Sequence, residues 1–415
     1  MGEIKFEKKT LVEAINTALQ EAEQTAAEQS VATPGGRFHV RWDEGGSATA
    51  LGQLPFFAEF LEVSGLFTRW VDECPMDYTS PNAPKVVDVL GTWLLSILDG
   101  QRRYAHVAGL RGDEVAPRIL GMNKIISDES LRRALAHLAP APCKYGSEEE
   151  RAAHAVQLAK STAWMDKALG ESTQESLRTP WILDADTSVK LLYGHQAGAE
   201  IGYNPTKPGR PSHTLHTYWI GNIRLVLDVE VQSGKANAAK HSLPRLCRLI
   251  ERLAAEERPA LVRGDSAFGN QGVMVEMERI EQHYLFKLRQ TAGVKRLIER
   301  QWQQDDWQNA GQGFDEMEGK LRLTGWSGAR RVVVLRRRIK DSMAAAETSN
   351  ENQQPTLHFI DHSDKVKLWE YAILVTNTDY SLDAIGQLYR DRADCENGFD
   401  ELKNQWGWGG YTTQD

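Results

Sequence analysis

The sequence predicts an α/β fold: a mixed sheet with flanking helices, interrupted by a β-rich insertion and preceded by a mostly helical region. Three observations lead to this prediction. Helix-type patterns dominate the first 179 residues, and β-type runs rich in Trp, Ile, Leu and Val begin at Pro180. Beyond Pro180, three strands, a helix, a strand, a helix and a strand follow one another, which is the order expected of a mixed α/β sheet.

The N-terminal region, residues 1–140, reads as helical. Val86–Leu98 has the composition of a buried helix, and Ser127 is a good N-cap for a helix over Asp128–Leu138. Residues 141–179 are charged and rich in alanine, so we expect a helical connector there.

The α/β domain is predicted in two parts separated by an insertion. Residues 180–288 supply its first part, and residues 289–383 are irregular and then β-rich, typical of an insertion. A helix within residues 384–415 would then return to complete the domain.

Composition bounds the class of protein. The 415 residues suffice for two or three domains, with 41% hydrophobic and 26% charged residues, as in soluble globular proteins. No apolar run is long enough to cross a bilayer, and the N-terminus lacks a secretion signal. We therefore expect a cytoplasmic protein without a membrane partner.

Net charge argues at first against nucleic acid, because it is −8. However, residues 320–340 carry eight Lys or Arg and no acid. This run is either a strand with one solvated basic face or a contact with the DNA backbone, and we favour the DNA contact.

Three acids stand where phosphoryl-transfer chemistry would need them. Asp186 lies on the first strand of the α/β domain, Asp265 ends its fourth strand, and Glu396 lies on the returning helix. Carboxylate oxygens suit Mg²⁺, and two such ions about 4 Å apart activate a nucleophilic oxygen and neutralise the leaving one.

The returning helix carries a mixed polar stripe. Tyr389, Arg392, Glu396 and Lys403 follow at steps of three, four and seven, which places them within an arc of roughly 60° on a straight helix. A solvated, salt-bridged helix face is the alternative interpretation. Three apolar neighbours would pack this helix: Phe399, Leu402 and Trp406.

The local contexts of these residues resemble one family. YRDRADCENGFDELK matches the Y-x2-R-x3-E-x6-K (YREK) signature of DDE-type bacterial insertion-sequence transposases, and LDADTSV and RGDSAFGN are similar to the two segments that carry its aspartates. GHQAGAEIGYNPTKPGRPSH also resembles a loop of one branch, so the resemblance covers about residues 180–415. It implies an RNase H-like catalytic domain and a helical N-terminal region that recognises terminal inverted repeats.

The resemblance assigns roles residue by residue. Asp186, Asp265 and Glu396 would be catalytic and would bind two Mg²⁺ ions, for which Mn²⁺ can substitute. Asp184 is an alternative first ligand, since it points to the same face of the strand as Asp186. We choose Asp186 because Thr187 and Ser188 follow it directly, as in the family pattern.

The remaining stripe residues would bind DNA. Tyr389, Arg392 and Lys403 are expected to contact phosphates near the scissile bond. A nucleophilic tyrosine, as in a topoisomerase, is the rival interpretation of Tyr389, but a positioning role accounts for the whole stripe.

The implied function is a DNA transposase that hydrolyses phosphodiesters at transposon ends and transfers the strand into target DNA. Its partners would be the inverted repeats, target DNA and a second copy of the chain, in a bacterial cytoplasm at the nucleoid. The chain ends soon after Lys403, from which we expect either a shortened copy of an element or a truncated chain. Two alternatives stay open: a truncated transposase that represses transposition by binding DNA, and a stand-alone RNase H-like nuclease.

Overall fold

The computed structural model describes residues 28–33, 36–41, 48–140, 146–194, 196–236, 238–339 and 369–406. The first two segments form an antiparallel pair, β1 (Glu28–Thr33) and β2 (Gly36–Arg41). The region predicted to be mostly helical therefore also contains a strand pair, in which Val31 lies opposite Phe38.

Seven α-helices follow in the described N-terminal part. They are α1 (Leu54–Ser64), α2 (Leu66–Asp72), α3 (Val86–Leu98), α4 (Val107–Leu110), α5 (Val115–Ile119), α6 (Asp128–Leu138) and α7 (Glu148–Thr173). Both α3 and α6 have the predicted bounds. The Ser127 hydroxyl accepts the N–H of Ser130, as an N-cap should. Ser147 and Glu150 form a capping box at the start of α7, which confirms that the connector is helical.

These helices share one apolar core. Val89, Leu90 and Leu95 of α3 are fully buried, as is Leu131 of α6. The long helix α7 closes the core through Trp164, whose ring stacks on that of Trp70 with 5.4 Å between centroids. Among the described residues, no helix is both long and apolar enough to cross a membrane.

The other ten described strands form a single sheet. They are β3 (Ile182–Leu191), β4 (Glu200–Ile201), β5 (Pro211–Ile220), β6 (Leu225–Ser233), β7 (Leu261–Gly264), β8 (Tyr284–Lys287), β9 (Gln308–Gly311), β10 (Phe314–Leu321), β11 (Arg330–Arg338) and β12 (Trp369–Thr376). Their order is β4-β5-β3-β7-β8-β12-β11-β10-β9, and β6 also pairs with β5. Of the pairings between these described strands, only β3–β7 and β7–β8 are parallel.

The β-rich segment predicted as an insertion continues this sheet. Strand β12 pairs with β8, with Leu374 opposite Lys287, and β11, β10 and β9 follow outward. Residues 340–368, which include one predicted strand, lie outside the described residues. Because Val332–Leu335 are all buried, β11 is covered on both faces, as expected for an interior strand.

Helices cover the two faces of the sheet. They are α8 (Ala239–Arg252), α9 (Gln271–Arg279), α10 (Ala292–Trp302), α11 (Leu382–Arg390) and α12 (Ala393–Asn404). Leu183, Ala185 and Val262 pack in the core with α8, α9 and α10, whereas Leu261 packs with Ile385 of α11. Since side chains alternate along a strand, Asp184, Asp186, Arg263 and Asp265 belong to the face of α11.

Candidate functional site

Asp186 and Asp265 lie side by side in the interior of the sheet. In the parallel β3–β7 pairing Ala185 is opposite Gly264, and each aspartate is the next residue of its segment. Neighbouring strands are about 4.8 Å apart, so the two aspartates stand at the same level on adjacent segments. Asp265 directly follows β7, as predicted, whereas Asp186 lies in the middle of β3.

Local hydrogen bonds orient the two carboxylates. One oxygen of Asp186, Oδ1, accepts the N–H of Thr187 at 2.7 Å, and Oδ2 accepts from the Arg392 guanidinium at 2.8 Å. Asp265 Oδ1 accepts the N–H of Ala267 at 2.9 Å, which ties the carboxylate to the turn after β7.

The three predicted acids are electrostatic neighbours. Burial raises the pKa of Asp186, and the negative charges of Asp265 and Glu396 raise it further. The positive charge of Arg392 and the N–H of Thr187 act in the opposite direction. A cation beside this carboxylate therefore relieves an unfavourable concentration of negative charge.

The helix that carries the predicted stripe is bent. Helix α11 ends at Arg390 and α12 begins at Ala393, and the step between them has three-residue hydrogen bonds, from Arg392 N–H to the Tyr389 carbonyl (3.2 Å) and from Cys395 N–H to the Arg392 carbonyl (3.0 Å). Such tight turns carry fewer residues per turn than an α-helix. The four residues thus do not share one straight stripe.

The residues of the predicted stripe differ in how far their side chains are exposed. The Arg392 side chain is only 7% exposed, whereas that of Glu396 is 68% exposed. The Arg392 guanidinium lies between Asp186 and Glu396, 2.8 Å from the former and 3.5 Å from the latter. Burial alone would lower the pKa of Arg392, but the surrounding groups, Asp186 first and then Tyr389, Asp265 and Asp184, together outweigh burial and raise that pKa.

Tyr389 is half-buried beside the same groups. Burial raises the pKa of its phenol to about 12, so the hydroxyl stays protonated at neutral pH. The phenol is therefore a potential hydrogen-bond donor, as the predicted positioning role requires.

Lys403 lies away from the carboxylates, at the exposed end of α12. Its ammonium group sits over the ring of Phe399, 5.2 Å from the centroid. Phe399 packs edge-on against Trp219, and Leu402 joins that cluster, as the sequence predicted. The third predicted packing residue, Trp406, is 40% exposed.

Asp184 has a different environment from Asp186. Both of its oxygens accept bonds from Arg263, from Nε and from Nη2, each at 2.6 Å, and both side chains are buried. This pairing supports Asp186 over Asp184 as the available carboxylate. Sequence reasoning missed Arg263, although its position two residues before Asp265 places it on the same face of the sheet.

The predicted metal ligands do not form a closed set. Within the part of the chain that the structure describes, no group of three or more His, Cys, Asp or Glu stands close enough together to hold a metal ion. Arg392 separates Asp186 from Glu396. The donors themselves fit a hard divalent cation, because Asp186 and Asp265 present carboxylate oxygens at neighbouring positions on adjacent segments of the sheet.

Half of the basic residues between positions 320 and 340 are ion-paired within the described part of the chain. Four arginines form ion pairs with acids from neighbouring strands or from α9: Arg330 with Glu278, Arg331 with Glu318, Arg336 with Asp315 and Arg337 with Glu370. These four side chains do not form the unpaired basic face that the run of like charges suggested, and a contact of the run with the DNA backbone stays a prediction.

Several solved structures are similar to this chain. One is the cryo-EM synaptic complex of the piggyBac transposase with hairpin DNA, with 11% identity, a TM-score of 0.45, and coverage of 87% of this chain and 70% of that chain. Another is the Mos1 transposase paired-end complex with the left transposon end, with 12% identity, a TM-score of 0.18, and coverage of 50% of this chain and 61% of that chain.

The comparison with curated proteins finds no match. A family model described as the transposase DDE domain, group 1, matches residues 40–414. The matched range includes Asp186, Asp265 and the helix α12 that carries Glu396. Because that match extends over nearly the whole chain, the protein belongs to the family of DDE transposases, domain group 1.

Proposed function

We propose that this protein is the DNA transposase of a bacterial insertion sequence, which cleaves phosphodiesters at the element ends and joins the freed strand to target DNA. The observation that carries the proposal is the placement of Asp186 on β3 beside Asp265, which directly follows the parallel strand β7, with Arg392 against Asp186 and Glu396 3.5 Å from Arg392. Family membership supports the same conclusion.

The arrangement of strands around Asp186 supports an RNase H-like catalytic domain. Strand β3 has the antiparallel β5 and β6 on one side and the parallel β7 and β8 on the other, in the order β6-β5-β3-β7-β8. The first aspartate thus lies on the central strand of this group, and the second lies at the end of the strand beside it.

Three acids of the site would bind the metal ion. Asp186, Asp265 and Glu396 would hold Mg²⁺, which when bound would activate the attacking oxygen and stabilise the leaving one. Glu396 is well exposed at the start of α12, and among the described residues Arg392 is its close partner, so sharing an ion with the aspartates would require its side chain to move.

Arg392 is equipped to hold a phosphate. Its Nη2 is engaged by Asp186, while its Nε–H is buried and finds no acceptor among the described residues. A phosphate oxygen would satisfy that donor, since guanidinium groups bind phosphates through paired N–H groups. The protonated Tyr389 hydroxyl would supply a further donor at the same position.

A second basic surface supports DNA as the substrate. Arg296 and Arg300 of α10, with Arg322 after β10, line a broad concavity beside the buried Trp326, and Glu299 is the acid among its lining residues. In the described part of the chain these three arginines have no hydrogen-bond or ion-pair partner, unlike the four ion-paired arginines of β11. Unpaired arginines on a concave surface suit the phosphates of a DNA backbone.

The test is an assay with a plasmid that carries the DNA flanking the gene, in the presence of Mg²⁺. We expect a joined product from a dimer bound to two ends, no cleavage by Glu396→Gln, and normal cleavage by the control Asp400→Asn on the same helix. Binding without cleavage by the wild-type protein would indicate a repressor, and nicking without joining would indicate a nuclease. Retained cleavage in Glu396→Gln would remove Glu396 from the site.

A further inference from the structure

A buried ion pair connects the three segments that carry the site. Arg263 of β7 is 2% exposed and Asp184 of β3 is fully buried. Two bonds of 2.6 Å join the guanidinium to the carboxylate, and the third arm, Nη1, donates to the backbone carbonyl of Leu388 in α11. One side chain thus bonds to a neighbouring strand and to a helix at the same time.

The chain around the pair is shaped to hold it. Gly221, which follows β5, has its backbone against the pair, and a Cβ atom there would overlap Oδ2 of Asp184 and lie 2.9 Å from Nη2 of Arg263. No side chain fits at this position without displacing the ion pair. The close approach therefore requires glycine at position 221.

Stability alone does not account for such a pair. Removing two charges from water costs several kcal/mol per ion, and well-packed apolar side chains often serve stability as well or better. The geometry offers another role. Asp186 lies two residues after Asp184 on the same strand face, Asp265 lies two residues after Arg263, and Tyr389 follows Leu388 directly.

We propose that Arg263, held by Asp184, is a positioning residue that sets α11 and the start of α12 against the two aspartates. The proposal rests on the proposed transposase function. Because the guanidinium fork has a fixed shape, its three bonds determine where the Leu388 carbonyl stands relative to both strands. Tyr389 and Arg392 then reach the site from a defined position.

The test compares Arg263→Lys with a matched control, Arg245→Lys. Arg245 forms a similar two-bond pair with the buried Asp228, but it joins α8 to β6. Both variants are expected to lower the unfolding temperature. Only Arg263→Lys should slow single-turnover cleavage, by about 100-fold, because a displacement of about 1 Å costs that much. Its affinity for end DNA should change less than its cleavage rate, since Arg296, Arg300 and Arg322 of the concavity are unchanged.

Hydrogen exchange supplies a readout that does not depend on activity. In the free protein, amides of residues 389–396 should exchange faster in Arg263→Lys than in wild type, and those in Arg245→Lys should not. Gly221→Ala displaces the same pair without removing a charge, and it should reproduce the effect if Arg263→Lys does not fold. Equal exchange of residues 389–396 in all folded variants would overturn the proposal. A wild-type protein that never cleaves DNA would instead reject the proposed function and leave the exchange result to decide the positioning role.

Discussion

Arg392 determines the electrostatics of the site at the scale of single residues. Its guanidinium is the cation nearest to Asp186, whose side chain is mostly buried, and it also faces Glu396. Removing one partner of a buried pair leaves the other charge uncompensated, which costs about 3–5 kcal/mol in the fully buried case. The 19% exposure of Asp186 reduces that figure.

Arg392→Gln is therefore expected to lower the free energy of unfolding in metal-free buffer by about 1–3 kcal/mol. Adding Mg²⁺ should recover more stability in this variant than in wild type, because a cation then replaces the missing guanidinium. Thermal unfolding with and without Mg²⁺ measures both quantities. Arg336→Gln, which disrupts a half-buried pair with Asp315, is the control, and its response to Mg²⁺ should equal that of wild type.

The buried side chain of His216 leads to a separate prediction, on how the stability of the fold depends on pH. It is fully buried, its Nε2–H donates to the Ala236 carbonyl at 2.7 Å, and Nδ1 accepts from the Ser242 hydroxyl. Burial lowers the pKa of this imidazole and the nearby His241 lowers it further, while the Ala236 carbonyl opposes them. The folded protein thus keeps His216 neutral at a pH where the unfolded chain binds a proton.

A lowered pKa in the folded state implies stability that is complete above about pH 6.5, the unfolded value, and that falls as the pH drops below it. Denaturant unfolding at pH 7.5 and 5.5 should show this loss in wild type and a smaller loss in His216→Gln. The control variant His106→Gln, at an exposed position, should lose as much stability between pH 7.5 and 5.5 as the wild-type protein. An unchanged pH dependence in His216→Gln would contradict the assignment of a buried neutral imidazole.

At the scale of elements, the sequence predicted a helix or strand correctly where neighbouring residues in the chain determine its bounds. Ser127 and its helix, and the buried helix Val86–Leu98, were predicted with their observed bounds because capping and apolar composition are read within a few residues. The strand carrying Asp186 and the turn carrying Asp265 were also recognised, since both follow β-type runs.

The basic run could not be interpreted from local sequence. Its arginines meet Asp315 and Glu318 from β10, Glu370 from β12 and Glu278 from α9, and these acids are 13 to 52 residues away in the chain. Cross-strand neighbours are set by pairing register, which a run of like charges does not reveal. The bend at Asp391–Arg392 was missed for a similar reason, since its residues all have helical preferences compatible with a straight helix.

A prediction about DNA binding follows from the three unpaired arginines of the concavity, Arg296, Arg300 and Arg322. Replacing Arg296, Arg300 and Arg322 with Gln should weaken binding to duplex DNA and reduce the slope of log Kd against log salt by about 0.9 for each phosphate that the variant no longer neutralises. A control triple variant replaces arginines that are already ion-paired: Arg178, Arg279 and Arg337. Titration at several salt concentrations measures the slopes, and equal slopes for the two triple variants would exclude the concavity as a DNA-binding surface.

At the scale of the whole molecule, the described part of the N-terminal helical region touches the end of α12, the helix that carries Glu396. Arg102, which follows α3, donates to the carbonyls of Lys403 and Asn404, both at 3.3 Å. Gly100 approaches the same helix end, where a Cβ atom would lie 2.6 Å from the carbonyl oxygen of Gln405. A cation at a helix C-terminus is favourable because the last carbonyls are unsatisfied and carry partial negative charge.

This contact joins residues 301 positions apart in the sequence, so no motif or periodicity could have predicted it. It gives the N-terminal region a direct connection to the helix that carries Glu396.

Arg102→Ala is therefore expected to loosen the end of α12. The free energy of unfolding should fall by about 0.5–1 kcal/mol, since the bonds are long and the contact is exposed. Amides of residues 401–406 should exchange faster, while α11 keeps the exchange rates of wild type, because Arg263 holds it independently. Arg103→Ala, the adjacent exposed arginine, is the control. If the amides of residues 401–406 exchange at the same rate in both variants, Arg102 does not restrain the end of α12.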